Sequence, residues 1–257
     1  MKSDPEVFCV MNTETSPAII MRVKDFGESD LLVTFFTPHK GQVKGVAKGA
    51  RRSRKRFVNA LDICSLVNLE FDLKKEGRLP LLHSGKLISA FPVLRSDFGA
   101  LCKASFMIEM TELLFPVGVA DPKVFELLKD GLEAMAEGHS ANLISLLFEA
   151  RAMALGGYRI NLEQCAVCGR TYRGEGAAVF NREKGTVSCL KCQQASAVSP
   201  RMTPDAVKAL HEMQSQPIAG SKGLRLPEET LVEIKSVLKL HREYRLEKKL
   251  KTAKYVE

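Results

Sequence analysis

From residue 16 to residue 91 the chain reads in steps of two. In "LDICSLVNLEFDL", Leu61, Ile63, Val67, Leu69, Phe71 and Leu73 alternate with Asp62, Asn68, Glu70 and Asp72, the period of a strand that buries one face. Similar runs lie at 18–24, 31–37, 42–48 and 79–90, with Gly27, Pro38, Gly41 and Gly77 between them. Five short antiparallel strands predict a small barrel, and the OB-fold is one such architecture. Beyond residue 96 the period becomes helical. Val124, Leu127, Leu128, Leu132 and Met135 fall on one face, behind an Asp121 N-cap and Pro122 at the first helical position. Further helices are predicted at 97–115, 141–155, 204–214 and 227–251. Short loops between the central ones imply an antiparallel bundle.

Four of the seven cysteines interrupt this pattern. Cys165-x-x-Cys168 and Cys189-x-x-Cys192 enclose 20 residues, the spacing of a four-thiolate zinc site. Between the pairs, "AAVFNREKGTVSC" predicts a hairpin turning at Glu183-Lys184-Gly185. So short a module cannot build a core alone, and a metal supplies the missing cohesion. With cysteine at all four positions no coordination site stays open, so the zinc is expected to be structural; disulfides or a redox pair are the competing readings. Cys9, Cys64 and Cys102 read as small buried apolar side chains. The expected class is therefore α+β: an N-terminal extension (1–15), a five-stranded OB-fold barrel (16–92), a helical bundle (93–164), a zinc module (165–192) and C-terminal helices packing on the bundle (193–257).

Charge divides the chain into thirds. Residues 1–90 carry 15 basic and 10 acidic side chains, 91–164 carry 6 and 10, and 165–257 carry 17 and 10, for a net charge of +8. Nucleic acid is expected at the two basic ends, away from the acidic middle. The stretch "KGVAKGARRSRKRF" at 44–57 sits inside an interval with no acidic residue between Asp30 and Asp62. Lys40, Lys44, Lys48, Arg51, Arg52, Arg54, Lys55 and Arg56 are the candidate phosphate contacts, because crowded like charges repel until a polyanion neutralises them. A solvated loop without a partner is the alternative. In the last helix Arg242, Arg245 and Lys249 fall at i, i+3 and i+7, apart from the packing seam of Leu231, Ile234 and Leu238. A solvated amphipathic helix explains that spacing as well as a phosphate-tracking one does. Phe35, Phe36 and Phe57 read as core rather than as base-stacking platforms.

No phosphate-binding loop, H-E-x-x-H pair or G-x-S-x-G elbow occurs, so the chain has no anchor for those enzyme classes. Two alternatives stay open: a zinc-ribbon module of transcription or RNA biology, and a metal-dependent nuclease built on Asp72 and Lys74. With 45% hydrophobic and 26% charged residues the chain is not disordered as a whole. No apolar run is long enough to span a bilayer and the start lacks the order of a secretory signal, so a cytoplasmic protein is expected, with Met11 as a second possible start.

The order "AIIMRVKDFGESDLLVTFFTPHKGQVKGVAKGARRSRKRF", then "SAFPVLRSDFGAL", then "LGGYRINLEQCAVCG" and a basic final helix resembles the RecO family of bacterial recombination mediators, from about Ser16 onward. The resemblance implies an N-terminal OB-fold, a helical central domain and an inserted zinc module. It further implies a non-enzymatic, nucleoid-associated protein that binds single- and double-stranded DNA and anneals complementary strands. As partners it implies the acidic tail of single-stranded-DNA-binding protein, taken near residues 97–156, and RecR, with which the family loads RecA. Not every member keeps four cysteines; Cys165, Cys168, Cys189 and Cys192 match the complete form. The segment from Lys44 to Arg56 falls where the family's barrel presents DNA contacts.

Overall fold

The computed structural model describes residues 13–72, 78–221, 225–246 and 248–255. Cys9, Met11, Leu73, Lys74 and Gly77 lie outside them. The chain divides into two compact units, Met1–Ala90 and Phe91–Glu257.

The first unit is a five-stranded antiparallel sheet in the order β3-β2-β1-β4-β5, built from β1 (Thr13–Phe26), β2 (Asp30–Thr37), β3 (Gly41–Ala47), β4 (Leu66–Asp72) and β5 (Leu82–Ser89). Strand β1 starts at Thr13, ahead of the expected barrel start at residue 16. It is long enough to serve two partners: its first half pairs with β4, its second with β2, and a register shift between Ile20 and Arg22 marks the bend. Such a bulge curls a sheet toward closure. Closure is completed where Val46 bridges Leu81 in parallel and the Val46 N–H donates to the Pro80 carbonyl at 2.9 Å. Gly45 permits this approach, since a Cβ there would sit 2.4 Å from Leu82 Cδ1 and 2.8 Å from Pro80 O. Inside, Phe35 meets Phe71 edge-on at 5.1 Å among Ala18, Ile20, Val33, Val67 and Leu69, with Phe57 in the same cluster. Phe36, on the opposite face of β2, is buried as well.

One strand is shorter than its alternation predicts. The period begins at Leu61, but β4 begins at Leu66. Cys64 adopts a left-handed backbone (φ 68°) and is buried while Ile63 is 46% exposed, so the turn reverses which face each residue takes.

The second unit packs α1 (Pro92–Ser96), α2 (Phe98–Leu114), α3 (Pro122–Ala136) and α4 (Ala141–Leu155) with α5 (Pro204–Met213) and α6 (Glu228–Arg245). Caps set their starts. The Asp97 carboxylate accepts from the Gly99 and Ala100 N–H groups, Asp121 from Lys123, Ser140 from Leu143 and Thr203 from Ala206. All five apolar residues expected on one face of α3 are buried. Gly131 on α3 lets Met107 of α2 come close, for a Cβ there would meet Met107 Cε at 2.4 Å. Helix α6 stops at Arg245, short of the expected residue 251, because Leu246 is extended.

Between the helices lies a four-stranded sheet in the order β6-β8-β7-β9: β6 (Asn161–Cys165), β7 (Ala178–Asn181), β8 (Thr186–Cys189) and β9 (Arg201–Met202). The β7–β8 hairpin turns at the expected place. Gly185 takes φ 64°, and the Asn181 side chain accepts the Lys184 N–H at 3.0 Å.

Candidate metal centre and nucleic-acid surface

Two neighbouring strands bring the cysteine pairs together. Cys165 ends β6 and Cys189 ends β8, its parallel neighbour. After each strand the chain doubles back: the Gly169 N–H donates to the Cys165 carbonyl at 3.0 Å, and the Cys192 N–H donates to the Cys189 carbonyl at 2.9 Å. All four sulfurs of Cys165, Cys168, Cys189 and Cys192 thereby lie within 4.8 Å of one another, with Cys165 and Cys189 at 3.8 Å. A tetrahedral ion with metal–sulfur bonds of about 2.3 Å needs edges of about 3.8 Å, so the set fits a metal with minor contraction. The four are free thiols rather than disulfides. Among the described residues this is the one group of three or more metal-ligating side chains.

The thiols are also prepared electrostatically. Burial would push the Cys165 thiol up, but N–H groups of Cys168, Cys189 and Val167 aimed at its sulfur bring it down to about 6. Cys192 goes the other way, to about 12, because hydrogen bonds with the Cys189 and Cys168 thiols favour its protonated form.

On the barrel, the loop after β3 is ordered rather than slack. Gly49 N–H donates to Asp30 Oδ1 at 2.8 Å and Arg51 N–H to the Ser29 carbonyl at 3.1 Å, while Ala50 and Phe57 are buried at either end. The side chains of Lys44, Lys48, Arg51, Arg52, Arg54, Lys55 and Arg56 are all exposed. Arg51 reaches Asp25 at 3.5 Å in a pair open to solvent, and Lys40 reaches the half-buried Glu14 at 3.6 Å. Arg56 donates to the Lys48 carbonyl and lies over the Phe57 ring at 5.2 Å. Lys44, Lys48, Arg52, Arg54 and Lys55 have no carboxylate partner among the described residues.

The C-terminal candidates separate. Arg242 is a correction: its side chain is 5% exposed and bonds Glu149 Oε1 at 2.6 Å, with its guanidinium 5.3 Å from the centre of the Phe106 ring. Its guanidinium is committed to Glu149 rather than displayed to solvent. Arg245 is half-buried and donates to the Glu183 carbonyl at 3.1 Å. Lys249 is exposed but lies beyond the end of α6, so the three do not form the i, i+3, i+7 row. Lys249 instead shares a groove of about 400 Å³ with Arg242, Glu243, Leu246, Lys248, Leu250, Ala253 and Lys254.

Among the described residues the strand carboxylates Glu70 and Asp72 are engaged by neighbours on β5. Asp72 Oδ1 lies 2.6 Å from His83 Nε2 and Glu70 accepts the Ser84 hydroxyl at 2.8 Å, both across the β4–β5 pair, and Lys74 lies outside the described residues. Periodicity missed the meeting of Arg182 on the β7–β8 turn with Tyr244 of α6, where the guanidinium lies 5.7 Å from the ring centre. The sequence marked the turn at Gly185 but not its junction with α6, because no sequence pattern reports which helix a hairpin will meet. Among the described residues no helix is long and apolar enough to cross a membrane.

Comparison with known proteins agrees with this architecture. Two family models match: the one described as Recombination protein O N terminal over residues 11–91, and Recombination protein O C terminal over residues 95–254. The DNA repair protein RecO of Syntrophobacter fumaroxidans is 39% identical over 179 residues, covering 70% of this chain and 71% of that protein. That of Desulfatibacillum aliphaticivorans is 32% identical over 247 residues, covering 95% and 96%. That of Geobacter metallireducens is 32% identical over 200 residues, covering 78% and 80%. A barrel, a helical unit and a four-cysteine centre in this order, matched along almost the whole length, mean that the chain belongs to the RecO family.

Proposed function

We propose that this protein is a non-enzymatic DNA repair and recombination mediator: it binds single- and double-stranded DNA through the cationic loop of the barrel and anneals complementary strands. The observation that carries the reading is the loop itself, ordered by Asp30 and Ser29 yet presenting Lys44, Lys48, Arg52, Arg54 and Lys55 to solvent without carboxylate partners among the described residues. Guanidinium and ammonium groups spread over such a surface meet the phosphates of any sequence. Bound backbones are neutralised while base edges stay free, which lowers the repulsion between two complementary strands.

The four cysteines would hold zinc, which supplies cohesion to the module and, with four thiolates around it, no position for substrate. A cytoplasmic, nucleoid-associated mediator would meet DNA already coated by single-stranded-DNA-binding protein, and would act with RecR to load RecA. The acidic, apolar tail of the coating protein suits the groove of Leu246 and Leu250 flanked by Lys248, Lys249 and Lys254, beyond the expected region 97–156.

The test is charge reversal of Arg52, Arg54 and Lys55 to Glu together. Annealing of complementary oligonucleotides should be lost while urea unfolding stays unchanged. Retained annealing would refute the placement of the site. Matched DNA and RNA single strands should bind alike; a marked preference for RNA would instead favour recognition of the 2′-hydroxyl.

A further inference from the structure

The β7–β8 turn does not project into solvent on its own. It rests on the last turn of α6, where a Cβ on Gly185 would sit 2.8 Å from Arg245 Nη2 and 3.2 Å from His241 Cε1. Arg245 closes the contact by donating to the Glu183 carbonyl at 3.1 Å. Around that contact the two elements expose a particular set of groups. Tyr244 of α6 keeps 48% of its surface open, with the Arg245 guanidinium 5.4 Å and the Arg182 guanidinium 5.7 Å from its ring centre. Lys184, at the tip of the turn, is exposed and donates to the Ala166 carbonyl at 3.1 Å. Glu183 and Glu243 are the exposed acids beside them, and Lys248 and Lys249 follow α6 directly.

We infer that the metal module's hairpin turn and the C-terminal end of α6 together form a second platform for single-stranded nucleic acid, with phosphates on Arg182, Lys184 and Arg245 and a base against Tyr244. The chemistry is that of sequence-independent strand binding: a half-exposed aromatic ring offers stacking to any base once the guanidinium groups over it turn to phosphate, and those same cations take the backbone. One hydrogen bond from Arg245 to a carbonyl leaves its other guanidinium N–H groups to donate to phosphate. A purely structural contact between hairpin and helix needs Gly185 and Arg245 but gives no reason for a half-open tyrosine between two arginines.

The inference rests on the proposed annealing function and extends it. An annealer must hold two strands, and the barrel loop supplies one surface in the first unit while this platform supplies another in the second. It also gives the cysteine centre a task beyond cohesion, since Cys189 ends β8, the strand that leaves the turn carrying Arg182 and Lys184, and Cys165 ends its neighbour β6.

The experiment uses the full-length, zinc-loaded protein and a short labelled thymidine oligonucleotide. In the variant with Arg52, Arg54 and Lys55 reversed to Glu, a residual affinity is expected, and adding Arg182→Glu with Lys184→Glu should remove about tenfold or more of it at unchanged zinc content and urea stability. Tyr244→Ala should weaken binding of the single strand by about tenfold, Tyr244→Phe should restore it, and duplex affinity should not follow Tyr244. With the barrel loop intact, the Arg182 and Lys184 variant should still bind one strand but anneal poorly. Residual binding indifferent to Arg182, Lys184 and Tyr244 overturns the platform and leaves the barrel reading standing. Reversal of the barrel loop without effect overturns the barrel reading, and the platform is then judged on its own variants.

Discussion

The loop at 44–56 and the end of α6 are both runs of positive charge, and folding treats them in opposite ways. In the loop, backbone N–H groups of Gly49 and Arg51 are spent on Asp30 and Ser29, so the turn is fixed while its side chains stay in water. In α6 the backbone is an ordinary helix, and its pitch carries Arg242 inward, beside Ile234 and Leu238, to Glu149 of α4. A cation buried this deeply loses several kcal/mol of hydration, recovered only through its partner and good geometry. The difference teaches that the charge of a segment says little about its use. What matters is whether the backbone or the side chain makes the holding contact.

The sharpest way to break that comparison is to remove one half of the buried pair. Arg242→Ala or Glu149→Ala should lower the free energy of unfolding by about 3–5 kcal/mol in urea titrations of the zinc-loaded protein, because each removes the 2.6 Å ion pair that balances the other buried charge. Replacing both by Met and Leu should recover most of the loss. If Arg242→Ala left stability intact and instead weakened DNA binding, the two regions would be alike after all.

A second effect comes from the neighbour of Arg242. The His241 Nε2–H donates to the Tyr158 carbonyl at 2.7 Å, and the ring packs edge-on against Phe180. Burial, together with the nearby Arg245 charge and against that hydrogen bond, lowers its pKa from 6.5 to about 4. The folded state therefore binds fewer protons than the unfolded state between those values. Stability is full above about pH 6.5 and falls as pH drops toward 4, by roughly 3 kcal/mol for this group. His241→Gln, which keeps a donor for Tyr158, should flatten that part of the pH profile measured by urea unfolding.

The loop should behave in the reverse sense. Arg52→Ala, Arg54→Ala and Lys55→Ala together should move stability by no more than about 0.5 kcal/mol. Yet each lost phosphate contact should reduce the slope of log affinity against log salt by roughly one. A steep loss of stability in this variant would mean that the cations hold the barrel rather than DNA.

How much of this was legible from sequence follows the same division. Alternation located the five strands, and the cap at Asp121 with Pro122 located a helix start, because these are local rules acting over a few residues. The cysteine spacing located the metal centre, because two tight turns aim sulfurs with little help from elsewhere. Alternation failed at Ile63, where a left-handed Cys64 reversed the faces, and the expected basic row failed at Arg242. Its partner Glu149 lies far away in sequence, and a helical wheel cannot tell a solvated arginine from one aimed at a buried carboxylate. The junction of Gly185 with Arg245 was equally silent, since it depends on how two separately predictable elements pack.

The smallest expected effect sharpens the comparison most, because it asks whether even the one paired arginine of the loop is available. Arg51 and Asp25 lie 3.5 Å apart with side chains 47% and 68% exposed. An ion pair this open contributes roughly 0–1 kcal/mol, so Asp25→Ala should change urea stability by less than about 0.5 kcal/mol. The variant also removes a negative charge beside the cations, so its affinity for a single strand should rise by about twofold at 50 mM salt. The gain should shrink at 200 mM, where the screening length falls to roughly 7 Å. Should Asp25→Ala instead destabilise the barrel and weaken binding, Arg51 would belong with Arg242, as a structural cation that happens to lie at the surface.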